Sequence, residues 1–202
     1  MASLRDPSLT GPHAELHGHG LTLRPWDAAS GSDVDTWLRG MRDPEFRRWN
    51  TPLRLVTDRA SARESLRARA QSATEGTSVS FRVADARTGE ALGHIGVNEI
   101  KYHLKVARVG YWVLPEARGR GVATGALLLA ADWAFAELGL HRLELDHAVG
   151  HDVSCRIARR CGFAYEGTLR GAVFQEGRHD AFRDAHLHAR LATDPAPDPA
   201  AP

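Results

Sequence analysis

Lysine is nearly missing from this chain: it occurs only at Lys101 and Lys105, so almost all positive charge is arginine. Arginine's planar fork suits phosphate and carboxylate recognition, although a biased base composition of the genome enriches it as well. No excess of either charge sign exists, with a formal net charge of +1 at pH 7. That excludes a strongly basic nucleic-acid binder. Cysteine is scarce too, with only Cys155 and Cys161. Both fall in one predicted helix, where they make no disulfide framework and suit a reducing compartment. No apolar run approaches the roughly 18 residues of a membrane span. The first twenty residues lack the apolar stretch of a signal peptide. A soluble, cytoplasmic protein with no membrane partner is the expectation.

What is there is ordinary globular material. The 202 residues are 43% hydrophobic, enough for one domain with a core. Residues 1–18 are polar and aperiodic, and 193–202 are rich in proline and alanine, so both are expected as disordered tails. The domain is placed at 19–192. "LTLRPW" alternates as a first strand. "SDVDTWLRGMRD" reads as a helix capped at Ser32 or Asp33, and "DPEFRRWN" as a short helix or turn. "TDRASARESLRARAQSA" is an amphipathic helix capped near Thr57 or Asp58. "SVSFRVAD" and "LGHIGVNEI" form a hairpin, and "ARVGYWVL" reads as a central strand. After the next helix, "HRLELDHAV" is a strand and "DVSCRIARRCG" a helix closed by Gly162. The remainder forms a strand pair around "QEGRHDAF". The fold class is α/β or α+β, with strands 108–114 and 142–149 parallel across a helical crossover.

Between the central strand and its helix lies "RGRGVATG", residues 118–125. Helix N-termini expose unpaired N–H groups and a positive dipole end, and glycines let a phosphate approach them. Arg118 and Arg120 add charge, and Thr124 adds a hydroxyl. The turn lacks the Gly-Lys-Ser/Thr of a P-loop. It also departs from the dinucleotide fingerprint, because Thr124 holds the third glycine's position. On the turn alone, an ordinary glycine-containing loop stays open.

Several blocks taken together resemble the GNAT N-acetyltransferase superfamily. Arg118, Gly121 and Ala123 match its [QR]-x-x-G-x-[GA] motif after "YWVLPEA". "LTLRPW", "TGEALGHIGV" and "HRLELDHAVGHDVSCRIARRCGFAYEGTLRGA" follow the family's order. The resemblance spans about residues 18 to 192 and is greatest to the ribosomal-protein N-terminal alanine/serine acetyltransferase branch. It implies a GNAT fold, a mixed and mostly antiparallel sheet with two splayed parallel strands. It implies acetyl-CoA as cosubstrate. No metal is expected, because the histidines, His186 and His188 on one strand face among them, show no convergent set with ligand spacing. Pyrophosphate would sit on the amides of Gly119, Arg120, Gly121, Val122 and Ala123. The pantetheine arm would run along Tyr111, Trp112, Val113 and Leu114, with the Val113 N–H polarising the acetyl carbonyl.

The resemblance also implies Ser154 as a cofactor contact and proton donor to the thiolate, though a serine there could equally cap its helix. The family's asparagine is replaced by His151. A tyrosine that some relatives use corresponds to Ala158, and the branch's glutamate to Val173. For the base, Glu99 comes first, then Asp146, with His147 or a water relay as further routes. Trp49 could line the acceptor cleft. The acceptor is expected to be a primary amine, on a small molecule or a protein N-terminus, and a homodimer is compatible with the resemblance. The rival reading is an acyl-CoA-binding sensor that kept the fold and lost turnover.

Overall fold

The computed structural model describes residues 15–197. The predicted tails at 1–14 and 198–202 lie outside the described residues. The end of the expected N-terminal tail is ordered, because Leu16–Gly18 form strand β1, which pairs with β2 (Leu21–Pro25). Three residues are too short to register as a strand by alternation, which is why the sequence hid it.

The other strands are β3 (Val79–Asp85), β4 (Ala91–Lys101), β5 (Val106–Val113), β6 (Arg142–Ala148), β7 (Ala164–Gln175) and β8 (Arg178–Leu191). They form one sheet in the order β1-β2-β3-β4-β5-β6-β8-β7. Every neighbouring pair is antiparallel except β5–β6. That parallel pair follows from the crossover through helix α4 (Val122–Ala136). Its register holds only from Val106↔Arg142 to Arg108↔Glu144. Beyond Arg108 the two strands part, and the gap between them is the central feature of the fold.

Alternation along the strands builds a core on each face. On one face, Phe81, Ile95, Val97, Leu143 and Leu145 pack against Ala126, Leu127, Ala130 and Ala134 of α4. That helix is apolar nearly all round, as a helix buried on most sides must be. On the other face, α1 (Gly31–Arg42) and α3 (Arg59–Thr74) bring Val34, Trp37, Met41, Ala62 and Leu66 against Trp112 and Leu114. Each fully buried large apolar side chain stabilises by roughly 1.5–3 kcal/mol. Within this second core, Trp26 Nε1 donates to His94 Nδ1 at 3.1 Å, which satisfies two buried polar groups.

Local capping explains the helix starts. Asp58 caps α3 in a capping box with Ser61. Helix α2 (Pro44–Trp49) begins on Asp43, whose carboxylate accepts from the Phe46 N–H. The start of α1 differs from expectation, because Ser30 is its cap and neither Ser32 nor Asp33 is. Asp33 is fully buried and accepts two hydrogen bonds from the Arg24 guanidinium, each at 2.7 Å. Burial alone would raise its pKa. The Arg24 hydrogen bonds and the Asp27 N–H outweigh that and hold the carboxyl below its ordinary value.

Candidate active site

The gap between β5 and β6 opens into a cleft of about 470 Å³. One wall is β5, from Tyr111 to Val113, and the floor is the glycine turn with the start of α4. Helix α5 (Asp152–Arg160) forms the second wall, and α2 closes over the top with Glu45, Phe46 and Trp49.

Backbone register decides what β5 offers. Leu114 N–H donates to Leu92 O at 2.9 Å, and Val113 stands opposite Gly93. In an antiparallel ladder this makes Val113 a non-hydrogen-bonded partner of β4. Its peptide groups, and those of Tyr111 two residues earlier, therefore point toward β6, which is no longer alongside. The Val113 carbonyl accepts from Arg118 Nε at 3.2 Å, while its N–H faces the gap. Leu114 lies outside the cleft lining, buried and paired to β4. Trp112 meets the cleft but spends most of its ring in the core, stacked with His94.

The turn holds two left-handed residues, Gly119 at φ 75° and Gly121 at φ 76°. Glycine adopts this region without the Cβ strain other residues incur. A Cβ at either position would meet nothing within 4 Å, so the space above the turn is open. Gly121 is the N-cap of α4, and the first intrahelical bond is Gly125 N–H to Gly121 O. The amides of Val122, Ala123 and Thr124 have no partner within the helix and sit at its positive end. This is a cradle suited to a phosphate-bearing group. Arg118 does not project freely into it: its guanidinium pairs with the nearly buried Asp43, tying the turn to α2. Arg120 lies outside the lining, so only its backbone belongs to the turn.

Ser154 lies on α5 and is buried, with its Oγ accepting from the Tyr111 hydroxyl at 3.3 Å. Burial pushes the Tyr111 pKa above its usual value, so the phenol stays protonated and donates. Ser154 is not a helix cap. That position belongs to His151, whose side chain makes no capping bond. The His151 ring stacks on Trp49 with centroids 4.5 Å apart. Burial, reinforced by His147, lowers its pKa to about 4, so it is neutral at neutral pH.

The expected bases fall elsewhere. Glu99 sits at a register shift between β4 and β5, with φ 51° and an exposed side chain. Arg108 draws it in at 3.9 Å, together with Asp146 at 3.7 Å and Glu144 at 3.8 Å. One guanidinium thus gathers three carboxylates, and none of them lines the cleft. Glu45 does line it, held by Trp49 Nε1 donating to Oε1 at 2.7 Å. Sequence reading missed Glu45, and it missed Arg156 and Arg160, which add positive charge beside the cradle. The 153/156/157/160 spacing on α5 is the signal that could have found those arginines. Val173 lies in a neighbouring groove of about 390 Å³ that also holds Phe46, Trp49, Pro52, Phe174 and Phe182. His147 turns away from the cleft, toward β8.

Comparison with known proteins agrees with this geometry. An acetyltransferase (GNAT) domain matches residues 20–164. The ribosomal-protein-serine acetyltransferase of Escherichia coli is 35% identical over 103 residues, covering 50% of this chain and 55% of that protein. The spermidine N(1)-acetyltransferase of Vibrio cholerae is 32% identical over 107 residues, covering 53% and 61%. The chain spans just over half the length of these curated relatives. Among solved structures, Mycobacterium smegmatis RimJ in complex with a CoA-disulfide superposes with a TM-score of 0.79 at 24% identity, covering 92% of this chain and 91% of that one. That likeness is one of fold. Among the described residues, no helix is long and apolar enough to cross a membrane.

Proposed function

The chain belongs to the GNAT acetyltransferase family, and from that premise we propose that it transfers the acetyl group of acetyl-CoA to a primary amine by direct attack in a ternary complex. One observation carries the reading. A left-handed glycine turn at a helix N-terminus, an unpaired strand edge and a buried, hydrogen-bonded serine meet in a single cleft.

The amides of Gly119, Arg120, Gly121, Val122 and Ala123 and the Thr124 hydroxyl hold the pyrophosphate, and Arg156 and Arg160 supply the countercharge. Tyr111 and Val113 pair with the pantetheine arm as a missing strand would. The Val113 N–H points at the acetyl oxygen and stabilises the charge that grows there. The amine nitrogen attacks the carbonyl carbon and the C–S bond breaks. Ser154 gives its proton to the departing thiolate and is resupplied through Tyr111 or solvent. The amine's extra proton leaves to Glu45, which takes over the role assigned in sequence to Glu99 and Asp146.

The acceptor enters from the apolar groove between α2 and the β7–β8 pair. An amine carried on an apolar or extended framework fits those walls, and a protein N-terminus and a small-molecule amine both satisfy that description. Free-thiol release, measured over a panel of peptide N-termini and polyamines, tests the reading. Turnover with at least one amine is expected, and Glu45→Gln should lower kcat by roughly 10²-fold. Glu99→Gln and Asp146→Asn should stay near wild type. Tight acetyl-CoA binding with silence across the panel would instead favour an acyl-CoA sensor. A kcat loss confined to the Glu99 or Asp146 variants would return the base to the Arg108 cluster.

A further inference from the structure

We propose that His147, Cys155, His186 and His188 form a four-ligand site for a borderline-soft divalent metal, Zn2+ foremost, built into the joint between β6, β8 and α5. The four residues span three elements, and their nitrogen and sulfur atoms all lie within 4.8 Å of one another. None of the four lines the acetyl-CoA cleft. The proposal is therefore independent of the transferase reading.

The sheet register assembles the set. In the β6–β8 pair, His147 stands opposite His186 and Leu145 opposite His188. Residues two apart share a face, so three imidazoles converge on the side that α5 covers. The His147 ring lies 5.3 Å from that of His188 and 5.5 Å from that of His186. Cys155 completes the group from α5, its Sγ 3.6 Å from His188 Nε2. A tetrahedral zinc with nitrogen and sulfur ligands has ligand–ligand edges of about 3.3–3.6 Å. That contact is already at coordination spacing.

In two of the three histidines the outer nitrogen is placed as a ligating histidine requires. His147 Nδ1 lies 3.1 Å from the Ala148 carbonyl, and His188 Nδ1 lies 3.3 Å from the Phe163 carbonyl. A carbonyl can only accept, so each Nδ1 carries the proton and each Nε2 keeps its lone pair for the interior. His147 is 8% exposed, and its Nε2 is buried without any hydrogen-bond partner. An orphan acceptor of this kind costs about 1–3 kcal/mol, and a metal bond would remove that penalty. Burial also lowers the pKa of His147 and His188, the direction that favours the neutral form.

A closed set of three imidazoles and one thiol, with no carboxylate, selects zinc or cobalt over magnesium or calcium. It marks a structural rather than a hydrolytic site. On binding, the Cys155 thiol loses its proton to solvent, and the thiolate and three imidazole lone pairs fill the coordination sphere. Such an ion would clamp the first turn of α5 to the sheet. That turn carries Ser154, so the ion would hold a cleft residue in place from behind. The sequence does not advertise the site, because its members lie far apart and only His186 and His188 sit close together.

The test uses the full chain, reduced and stripped with a chelator, then titrated with Co2+ followed by Zn2+. One Co2+ per chain is expected, with the visible spectrum of tetrahedral cobalt, a thiolate-to-cobalt charge-transfer band, and displacement by Zn2+. Cys155→Ser should abolish the charge-transfer band, and His186→Ala should weaken binding by at least about tenfold. Far-UV circular dichroism and thermal unfolding of the metal-free variants separate lost ligands from lost folding. If a variant fails to fold, the wild-type thiols decide. Zn2+ should slow modification of Cys155 by about tenfold or more, while Cys161, buried and pushed up to about 12 by that burial, stays silent in both states. Absence of stoichiometric binding, an octahedral cobalt spectrum, or unchanged Cys155 reactivity with Zn2+ would overturn the proposal.

Discussion

The Tyr111 hydroxyl donates to Ser154 Oγ across 3.3 Å, joining β5 to α5 between residues 43 positions apart. Because Ser154 accepts from the phenol, its own proton is free to turn toward the cleft. In the proposed mechanism this serine is the last member of a short relay.

Ser154→Ala should therefore lower kcat by about 10²-fold, while stability loses only the hydrogen bond shared with Tyr111, about 1 kcal/mol. Tyr111→Phe removes one hydrogen bond, worth about 1 kcal/mol, and should cost roughly five- to tenfold in kcat. Steady-state kinetics beside thermal unfolding check both. A Ser154→Ala variant that loses stability in proportion to activity would make the hydroxyl a packing group.

Arg156 and Arg160 line the cleft near the turn that is proposed to hold the cofactor's phosphates. Arg160→Glu should raise the acetyl-CoA Kd by about tenfold, because it replaces an attraction with a repulsion. The loss should shrink as salt rises, since these guanidinium groups are solvent-exposed. Titration calorimetry at two ionic strengths reads the effect.

Gly40 on α1 supports the cleft from a distance. A Cβ there would fall 2.4 Å from the Trp112 ring, closer than real contacts allow. Gly40→Ala should cost about 1–3 kcal/mol by overpacking, although alanine is the better helix former. Denaturant unfolding should show the loss as a lower midpoint with an unchanged slope. A neutral or stabilised variant would mean that Trp112 has room to move.

His94 gives a pH dependence. It is buried, and that burial, with the nearby Arg69 charge, lowers its pKa well below the usual value, against a smaller opposing bond to Phe81. An unfolded imidazole titrates near about 6.5. Below that pH the unfolded chain binds a proton that the folded chain refuses. The contribution is complete above the unfolded pKa and is lost as pH falls, by up to about 1.4 kcal/mol per pH unit. Stability measured from about pH 7 to about pH 5 should decline, with a shallower slope in His94→Gln. Equal slopes would assign the decline to other groups.

Much of this molecule was legible in the sequence because much of it is local. "RGRGVATG" meets α4 where glycine chemistry and helix N-termini demand it, and Asp58, one of the two caps expected for α3, is its cap. The chemistry of the cleft was less legible. Ser154, a candidate from the sequence, lines the cleft, but its hydrogen bond to Tyr111, expected only along the pantetheine strand, was not legible. Glu99 and Asp146 pair with Arg108, and neither lines the cleft. Glu45 lies in a six-residue helix with no buried residue, and nothing in its neighbours marks it.

The sequence by itself determined the strand and helix pattern, the left-handed turn and the parallel crossover, because φ/ψ preference, capping and periodicity act within a few residues. The tertiary structure alone decided where β5 and β6 part, which hydroxyl meets Ser154, which carboxylate enters the cleft, and that three histidines and one cysteine converge behind α5. Those are distances between residues remote along the chain. They are set by sheet register and by how helices pack over it, neither of which a linear pattern records.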